Sequence, residues 1–126
     1  MNLIEIKTKK RTEILDITAE VEKKLEKDGV ALIFTPHTTA SIILNEAEKG
    51  LLEDIVAAVE KIVPQNAHYR HNEIDNNADS HIKASILGNF VIVPFKNGKL
   101  ELGTWQRVLF VEFDGPRVRK VFVKVL

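Results

Sequence analysis

The spacing of apolar positions changes period several times along the chain, and each change marks an element. Residues 2–8 set Ile4 and Ile6 against Leu3, Glu5 and Lys7, the period of two that predicts a strand. In "DITAEVEKKLEKDG", Ile17, Val21 and Leu25 recur at i, i+4 and i+8. That spacing predicts a helix, capped by Asp16 or Thr18 and stopped by Gly29. "VALIFTP" reads as a short buried strand ended by Pro36, and "HTTASIILNE" as a second strand after it. One face of that second strand carries His37, Thr39, Ser41, Ile43 and Asn45; the other carries Thr38, Ala40, Ile42 and Leu44. The first face is unusually polar for a strand following so apolar a run. "AEKGLLEDIVAAVEKIVP" predicts the clearest helix, with Leu51, Leu52, Ile55, Val56, Val59, Ile62 and Val63 in one stripe and Pro64 at its end.

The second half opens with a polar loop. "ADSHIKASILG" then predicts a short helix with Asn77 as N-cap and Gly88 as the C-terminal stop. "FVIVPF" and "LGTWQRVLFVEF", the latter interrupted at Gly103, read as strands on either side of "KNGK", whose Asn97-Gly98 is a strong hairpin signal. "DGPR" turns the chain into a terminal strand, "VRKVFVKVL". The predicted order is β-α-β-β-α-(loop)-α-β-β-β-β. It describes a single α+β domain, residues 1–126, with mixed or antiparallel sheets partly covered by about three helices. No glycine-rich phosphate loop of the Rossmann or Walker kind occurs.

Composition narrows the function. A chain of 126 residues is long enough for one real core, and 44% hydrophobic with 29% charged residues is the balance of a globular protein in water. Lys plus Arg equals Asp plus Glu at 18 each, so no global field draws in nucleic acid or anionic lipid. Arg117, Arg119, Lys120 and Lys124 read as the solvated face of the terminal strand, with a local basic patch as the alternative. With no cysteine there is no disulfide, thiolate nucleophile or Cys-based zinc site. Neither a signal-peptide h-region nor an 18-residue apolar run is present, so the expected location is cytoplasmic, away from membranes.

Three of the four histidines fall in "HYRHNEIDNNADSH", residues 68–81. His81 lies in the first turn of the predicted helix, flanking Ala78, Ile82 and Ser85, and is expected to be half-buried; Asp79 falls well round the helix from it. A helix N-terminus favours anions. Two imidazoles beside it suit a phosphate when protonated or a divalent metal when neutral. Zinc usually takes at least three protein ligands, and His37, at the mouth of a strand, is the available third. The spacing matches no metal signature such as HExxH, and ordinary surface hydrogen bonding accounts for the same residues, His68 above all. Glu112 shares a strand face with Val108 and Phe110, which makes it either a carboxylate against apolar surface, with a raised pKa, or a rim residue in water. Trp105 is expected in the core, with ligand stacking as the alternative.

"HTTASIILNE", "NNADSHIKAS", "NGKLELGTWQ" and "VEFDGPR" together resemble the YjbQ family, also called the secondary thiamine-phosphate synthase family, from about Leu3 to the C-terminus. The resemblance implies a small α+β sandwich assembled as a homotrimer, its polar residues gathered in one pocket. By motif those residues are His37, Thr38, Asn45, His71, Asn77, Asp79, His81, Thr104, Trp105, Gln106 and Glu112. The roles carried over are catalytic for Asn45, Asn77, Asp79, Gln106 and Glu112, and substrate-binding for Thr38, Thr104 and Trp105. His37, His71 and His81 are the implied ligands of a divalent metal (zinc or magnesium), or neighbours of an oxyanion. Ser80, where the family often has Ala, and Arg107, where Gly is common, depart from the pattern, and "HNEID" does not align with it.

The implied activity joins hydroxymethylpyrimidine diphosphate to thiazole phosphate and releases pyrophosphate, as a side reaction if "secondary" is taken literally. The expected partner is thus a phosphorylated small molecule. A metal- or oxyanion-binding protein without turnover, or a metal-dependent phosphoester hydrolase, are the alternatives. For assembly, Val118, Val121, Val123 and Val125, with Leu109 and Val111, include candidates for burial against a neighbouring copy, unless a sandwich buries them within one chain. The pocket is expected near a subunit boundary.

Overall fold

The computed structural model describes residues 2–126. In chain order the strands are β1 Asn2–Lys7, β2 Glu13–Asp16, β3 Gly29–Phe34, β4 Ala40–Asn45, β5 Phe90–Lys96, β6 Lys99–Leu100, β7 Arg107–Glu112 and β8 Val118–Val125. The helices are α1 Thr18–Glu22, α2 Lys49–Ile62 and α3 Ala78–Leu87, with a 3-10 turn at Arg70–Glu73. The strands form two antiparallel sheets, ordered β1-β8-β3-β5-β6 and β2-β7-β4. The α+β expectation holds.

The inner faces of the two sheets meet in the main core. Ile4, Ile6, Ala31, Ile33, Val93, Phe95, Val121 and Val123 from the larger sheet pack against Ile42, Val108 and Phe110 of the smaller. Each set follows the two-residue period of its strand. The outer face of the small sheet (Ile14, Ile43, Val111) is covered by Ala84 and Leu87 of α3 and Val59 of α2. All the covering therefore lies on one side. The outer face of the larger sheet stays open, and a row of apolar side chains crosses it: Leu3 opposite Phe122, Phe122 opposite Phe34, Phe34 opposite Phe90. The Phe34 and Phe122 rings stack with centroids 6.3 Å apart, and Phe90 is 52% exposed.

Several local expectations change. The predicted first helix survives only as α1; Asp16 Oδ1 accepts from both the amide and the hydroxyl of Thr18, and Gly29 opens β3 rather than closing a helix. A short strand, β2, pairs with β7 where no strand was expected. β4 begins at Ala40, so His37, Thr38 and Thr39 lie in the β3–β4 turn. The α2 stripe is only half-covered: no residue of this helix is fully buried, and Ile62 is 70% exposed. At α3, Asn77 occupies the N-cap position without capping through its side chain; Asn72 Oδ1 instead accepts from the Ala78 amide. The hairpin is as expected, with Asn97 and Gly98 both at positive φ between Lys96 and Lys99. Of the aliphatics weighed for burial against another copy, Leu109, Val111, Val121 and Val123 are buried within the chain, whereas Val118 and Val125 are exposed.

The β7–β8 turn, Phe113–Arg117, lies against the β1–β2 connection. Gly115 donates its amide to Arg11 O at 3.0 Å; Thr8 donates its amide to Arg117 O and accepts the Arg117 amide at its Oγ1. A Cβ at Gly115 would overlap the Lys10 carbonyl oxygen and come within 2.8 Å of Thr8 Oγ1. Backbone cannot yield as a flexible side chain does. Gly115→Ala is therefore expected to cost roughly 1–3 kcal/mol of stability, read as a lower urea midpoint at unchanged slope. An unshifted midpoint would show that the turn has room to spare.

Candidate functional site

A cleft of about 370 Å³ opens between the β3–β4 turn and α3, lined by His37, Thr38, His81, Ser85 and Asn89 among others. The turn that carries His37 is tied to β8 at three successive points. Thr35 Oγ1 donates to Lys120 O at 3.0 Å, the Lys120 amide donates to His37 Nε2 at 2.9 Å, and Arg119 Nη2 donates to Thr39 Oγ1 at 2.8 Å. The Phe113 amide, from the turn after β7, holds Thr39 O at 3.1 Å. Partial burial, and then the nearby charge of Arg119, pull the His37 pKa below its ordinary value; Glu112 opposes them, and Lys120 and Arg117 add to them. His37 is thus a neutral imidazole at physiological pH.

Arg119 is buried, not part of a solvated basic face. It is 3% exposed and makes a two-pronged ion pair with Glu112, which has no exposure at all. Glu112 also accepts from Thr8 Oγ1 at 2.8 Å and from the Asp114 amide at 3.1 Å. Neither expectation for Glu112, an acid against apolar surface or a rim group in water, describes it. It is a fully satisfied buried carboxylate.

Asp79 is spent in the same way. Arg11 grips both its oxygens, at 3.0 and 3.3 Å, and Lys83 reaches it at 2.8 Å while also binding Glu60 at 2.6 Å. Burial alone would raise the Asp79 pKa, but hydrogen bonds and charge from Arg11 and Lys83 outweigh it, holding the carboxyl below its ordinary value. Ser80 donates to Phe113 O at 2.6 Å and turns inward. The chain joining α3 to α2 runs Asp79–Lys83–Glu60, an arrangement of structure rather than of chemistry.

His71 and His81 do meet, their rings edge to face with centroids 4.8 Å apart. His71 Nε2 lies 3.0 Å from Asn77 Oδ1. Asn77 Nδ2 in turn donates to Asp114 Oδ2 at 2.8 Å, and Arg117 holds the same carboxylate at 3.1 Å. Because Asp114 can only accept, Asn77 must present its oxygen to His71, so His71 Nε2 carries the proton. His68 lies apart beside the 3-10 turn, lining a different depression with Tyr69 and Arg70.

The remaining expected residues stand elsewhere. Thr104 and Trp105 line a second depression with Asp16, Glu46 and Arg107, and Arg107 pairs with Asp16 at 2.7 Å. Trp105 is 70% exposed, not in the core. Gln106 Oε1 accepts from the Gly103 amide, and Asn45 Oδ1 from the Glu46 amide, each closing a local turn. Asn45 pairs with Arg107 at one end of the β4–β7 ladder, and Ala40 pairs with Glu112 at the other. Five residue steps of strand, about 17 Å, thus separate the Trp105 group from the histidine cleft.

A three-histidine metal site does not fit this geometry. His37 Nε2 is occupied by a backbone N–H, which places the ring proton on Nδ1 and leaves no free lone pair. His71 Nε2 is a donor, so only His71 Nδ1 and the His81 ring offer uncommitted nitrogen. Among the described residues no group of three or more His, Asp or Glu could hold a metal ion.

Two stability outcomes follow from the buried charges. Arg119→Met strands Glu112 without its counter-charge and is expected to cost about 3–5 kcal/mol, part of which Glu112→Gln in the same chain restores. Urea unfolding of the single and double variants measures both, and a single variant losing under about 1 kcal/mol would contradict the pairing. For Asp79, the folded pKa lies below the unfolded one. Its stabilisation is therefore full above the unfolded value, near pH 4, and is lost as pH falls through the folded value. Asp79→Asn should accordingly unfold less steeply between about pH 5 and about pH 3 than the parent protein, as followed by circular dichroism.

With the geometry in hand, the relatives can be placed. The model of the YjbQ-like UPF0047 proteins matches residues 2–126. The chain is 57% identical over 122 residues to a UPF0047 protein of Archaeoglobus fulgidus, covering 96% of this chain and 97% of that one. Against the UPF0047 protein YugU of Bacillus subtilis it is 40% identical over 131 residues, covering 100% and 98%. Among solved structures, a hypothetical protein from Aeropyrum pernix superposes with a TM-score of 0.94 at 40% identity, covering 99% of this chain and 96% of that chain. A YjbQ/UPF0047-family protein from Clostridium acetobutylicum superposes at 0.93 with 43% identity, covering both chains completely. The names these relatives carry state no reaction. No helix among the described residues is long and apolar enough to cross a membrane. Sequence and fold agree over the described chain, and the protein belongs to the YjbQ-like UPF0047 family.

Proposed function

We propose that the protein holds the phosphoryl end of a small-molecule substrate in the cleft between the β3–β4 turn and α3. The reaction we assign there is the thiamine-phosphate synthase-type condensation, run as a secondary activity. The observation that carries this reading is the cleft itself. Two imidazoles, a hydroxyl on Thr38 and on Ser85, and the Asn89 amide line it, and the charges of Arg119, Lys120 and Arg117 act on His37. Such a lining stabilises the negative charge that builds on a departing diphosphate. In the condensation the pyrimidine methylene carbon loses its bond to the diphosphate oxygen, the electron pair leaves on pyrophosphate, and the thiazole nitrogen forms the new C–N bond. With Asp79 and Glu112 locked in ion pairs, any proton transfer in the cleft falls to histidine.

Size argues for a second copy of the chain. Ligand pockets usually run from about 300 to 1,000 Å³, and about 370 Å³ accommodates one phosphorylated ring compound rather than two. Trp105, exposed at the far end of β4, is suited to cradle the other ring if a neighbouring subunit brings it to the cleft. We therefore assign the homotrimer as the working assembly; the open apolar row on the larger sheet and the half-covered α2 stripe supply surface for it. The same locked carboxylates also favour a second reading, an anion-binding protein without turnover.

Supplied with both precursors and magnesium, the purified protein should form thiamine phosphate well above a His81→Ala control. Product no greater than the control would discard the transferase, and calorimetric binding of pyrophosphate by that same sample would then select the non-catalytic reading. In light scattering at micromolar concentration the protein should weigh three chains, and Trp105→Ala should lower activity without changing the phosphate affinity of the cleft. A monomer mass would end the trimer.

A further inference from the structure

The β3–β4 turn is held by β8 more firmly than a surface turn needs, and the three contacts share one effect on His37. The Lys120 N–H occupies Nε2, Thr35 Oγ1 holds the carbonyl of the same residue in the next peptide, and Arg119 fixes Thr39 two residues beyond the histidine. Thr35 and Thr39 are buried, and Arg119 is locked by Glu112. Strand β8 therefore has little freedom to withdraw the N–H. An imidazole whose Nε2 accepts from an amide has one polar group left, the Nδ1–H, and His37 lines the cleft. His81 lines the same cleft, and neither of its ring nitrogens meets a protein group among the described residues; packing against His71 is what holds it.

Resting on the reading of this cleft as the ligand site, we infer a division of labour between its two histidines. Lys120, through its backbone N–H, and Arg119, through Thr39, are positioning residues that fix His37 as a neutral donor with its proton on Nδ1. His81 is the ring left with both nitrogens uncommitted to protein groups among the described residues. His37 then offers an anionic oxygen one hydrogen bond, from Nδ1–H, that needs no second proton on the ring. It is excluded as a general base and as a metal ligand through either nitrogen. The charged and titratable groups around His37 are consistent with this: Arg119, Lys120 and Arg117 disfavour a second proton, Glu112 alone favours it, and His81 lies across the cleft.

The test is nitrogen-15 NMR of the imidazole rings in the full-length labelled protein, with inorganic phosphate as the probe. His37 should show a pyridine-type Nε2 and a pyrrole-type Nδ1 at neutral pH. Phosphate should shift the His37 Nδ1–H resonance. Thr39→Val keeps the shape and removes the hydroxyl that Arg119 grips. It should draw the His37 signals toward tautomer-averaged values and weaken phosphate binding up to about tenfold. A proton on Nε2, or a doubly protonated His37 at neutral pH, overturns the inference, and phosphate that still perturbs His81 would then leave the cleft reading standing. The expected tautomer with no response of either ring to phosphate overturns the cleft reading and, with it, the donor role. Unchanged His37 signals in Thr39→Val remove Arg119 from the positioning set.

Discussion

One ion pair organises the end of the molecule where the chemistry is expected. Arg119 belongs to the larger sheet and Glu112 to the smaller, so their contact crosses the sandwich. Removing two charges from water costs several kcal/mol per ion, and Coulomb attraction repays this only when the other lone pairs and protons are also satisfied. Here they largely are: Thr8 and the Asp114 amide complete Glu112, and Thr39 takes the second hydrogen of Arg119 Nη2. An apolar pair of the same volume would join the sheets as well. It would not hold Thr39, and the turn bearing His37 would lose an anchor.

The fold thus uses Asp79, Glu112 and Asp114 as fixings and sets two imidazoles, His37 and His81, at the cleft. Asp79 faces Arg11 and Lys83, behind the helix whose front carries His81, and Asp114 steers Asn77 and through it His71. Carboxylates tied to guanidinium and ammonium groups remain ionised and make poor proton shuttles near neutrality. The half of the expected constellation that includes Trp105 lies a strand's length away. That separation keeps the Trp105 depression and the histidine cleft apart within one chain.

Much of this was legible in the sequence, and the failures have physical causes. Periodicity located β4 from Ala40 onward, β8, α2 and α3, and Asn97-Gly98 marked its hairpin, because each signal is local and long enough to repeat. β2 is only four residues, "EILD", too short for alternation to declare itself. Trp105 was expected inside on size and apolarity, yet "GTWQ" is a connection held by Gly103 and Gln106. The oversight at Arg119 is more instructive. Alternation in "VRKVFVKVL" places it with Val121 and Val123 on the buried face, while Lys120 and Lys124 share the other phase. Grouping the four cations by sign hid that distinction. A lone cation on one apolar strand face and a lone anion, Glu112, on another are together a readable sign of a buried pair. Long-range partners such as Arg11 with Asp79, 68 residues apart, leave no such trace.

The position of β8 has a consequence for how the molecule comes into being. It is the last strand in chain order, yet it lies between β1 and β3, inside the larger sheet rather than at its edge. Until it emerges from the ribosome, β1 has no neighbour to pair with, β3 lacks one of its two, and Glu112 waits without a counter-charge. Contacts that span nearly the whole chain, such as Asn2 with Val123, close late and slowly. The nascent protein therefore carries exposed strand edges through most of its synthesis, a state prone to pairing with other chains. The strand that completes the sheet is also the one that fastens the His37 turn, so a chain truncated before β8 would lack a finished fold and a finished cleft alike.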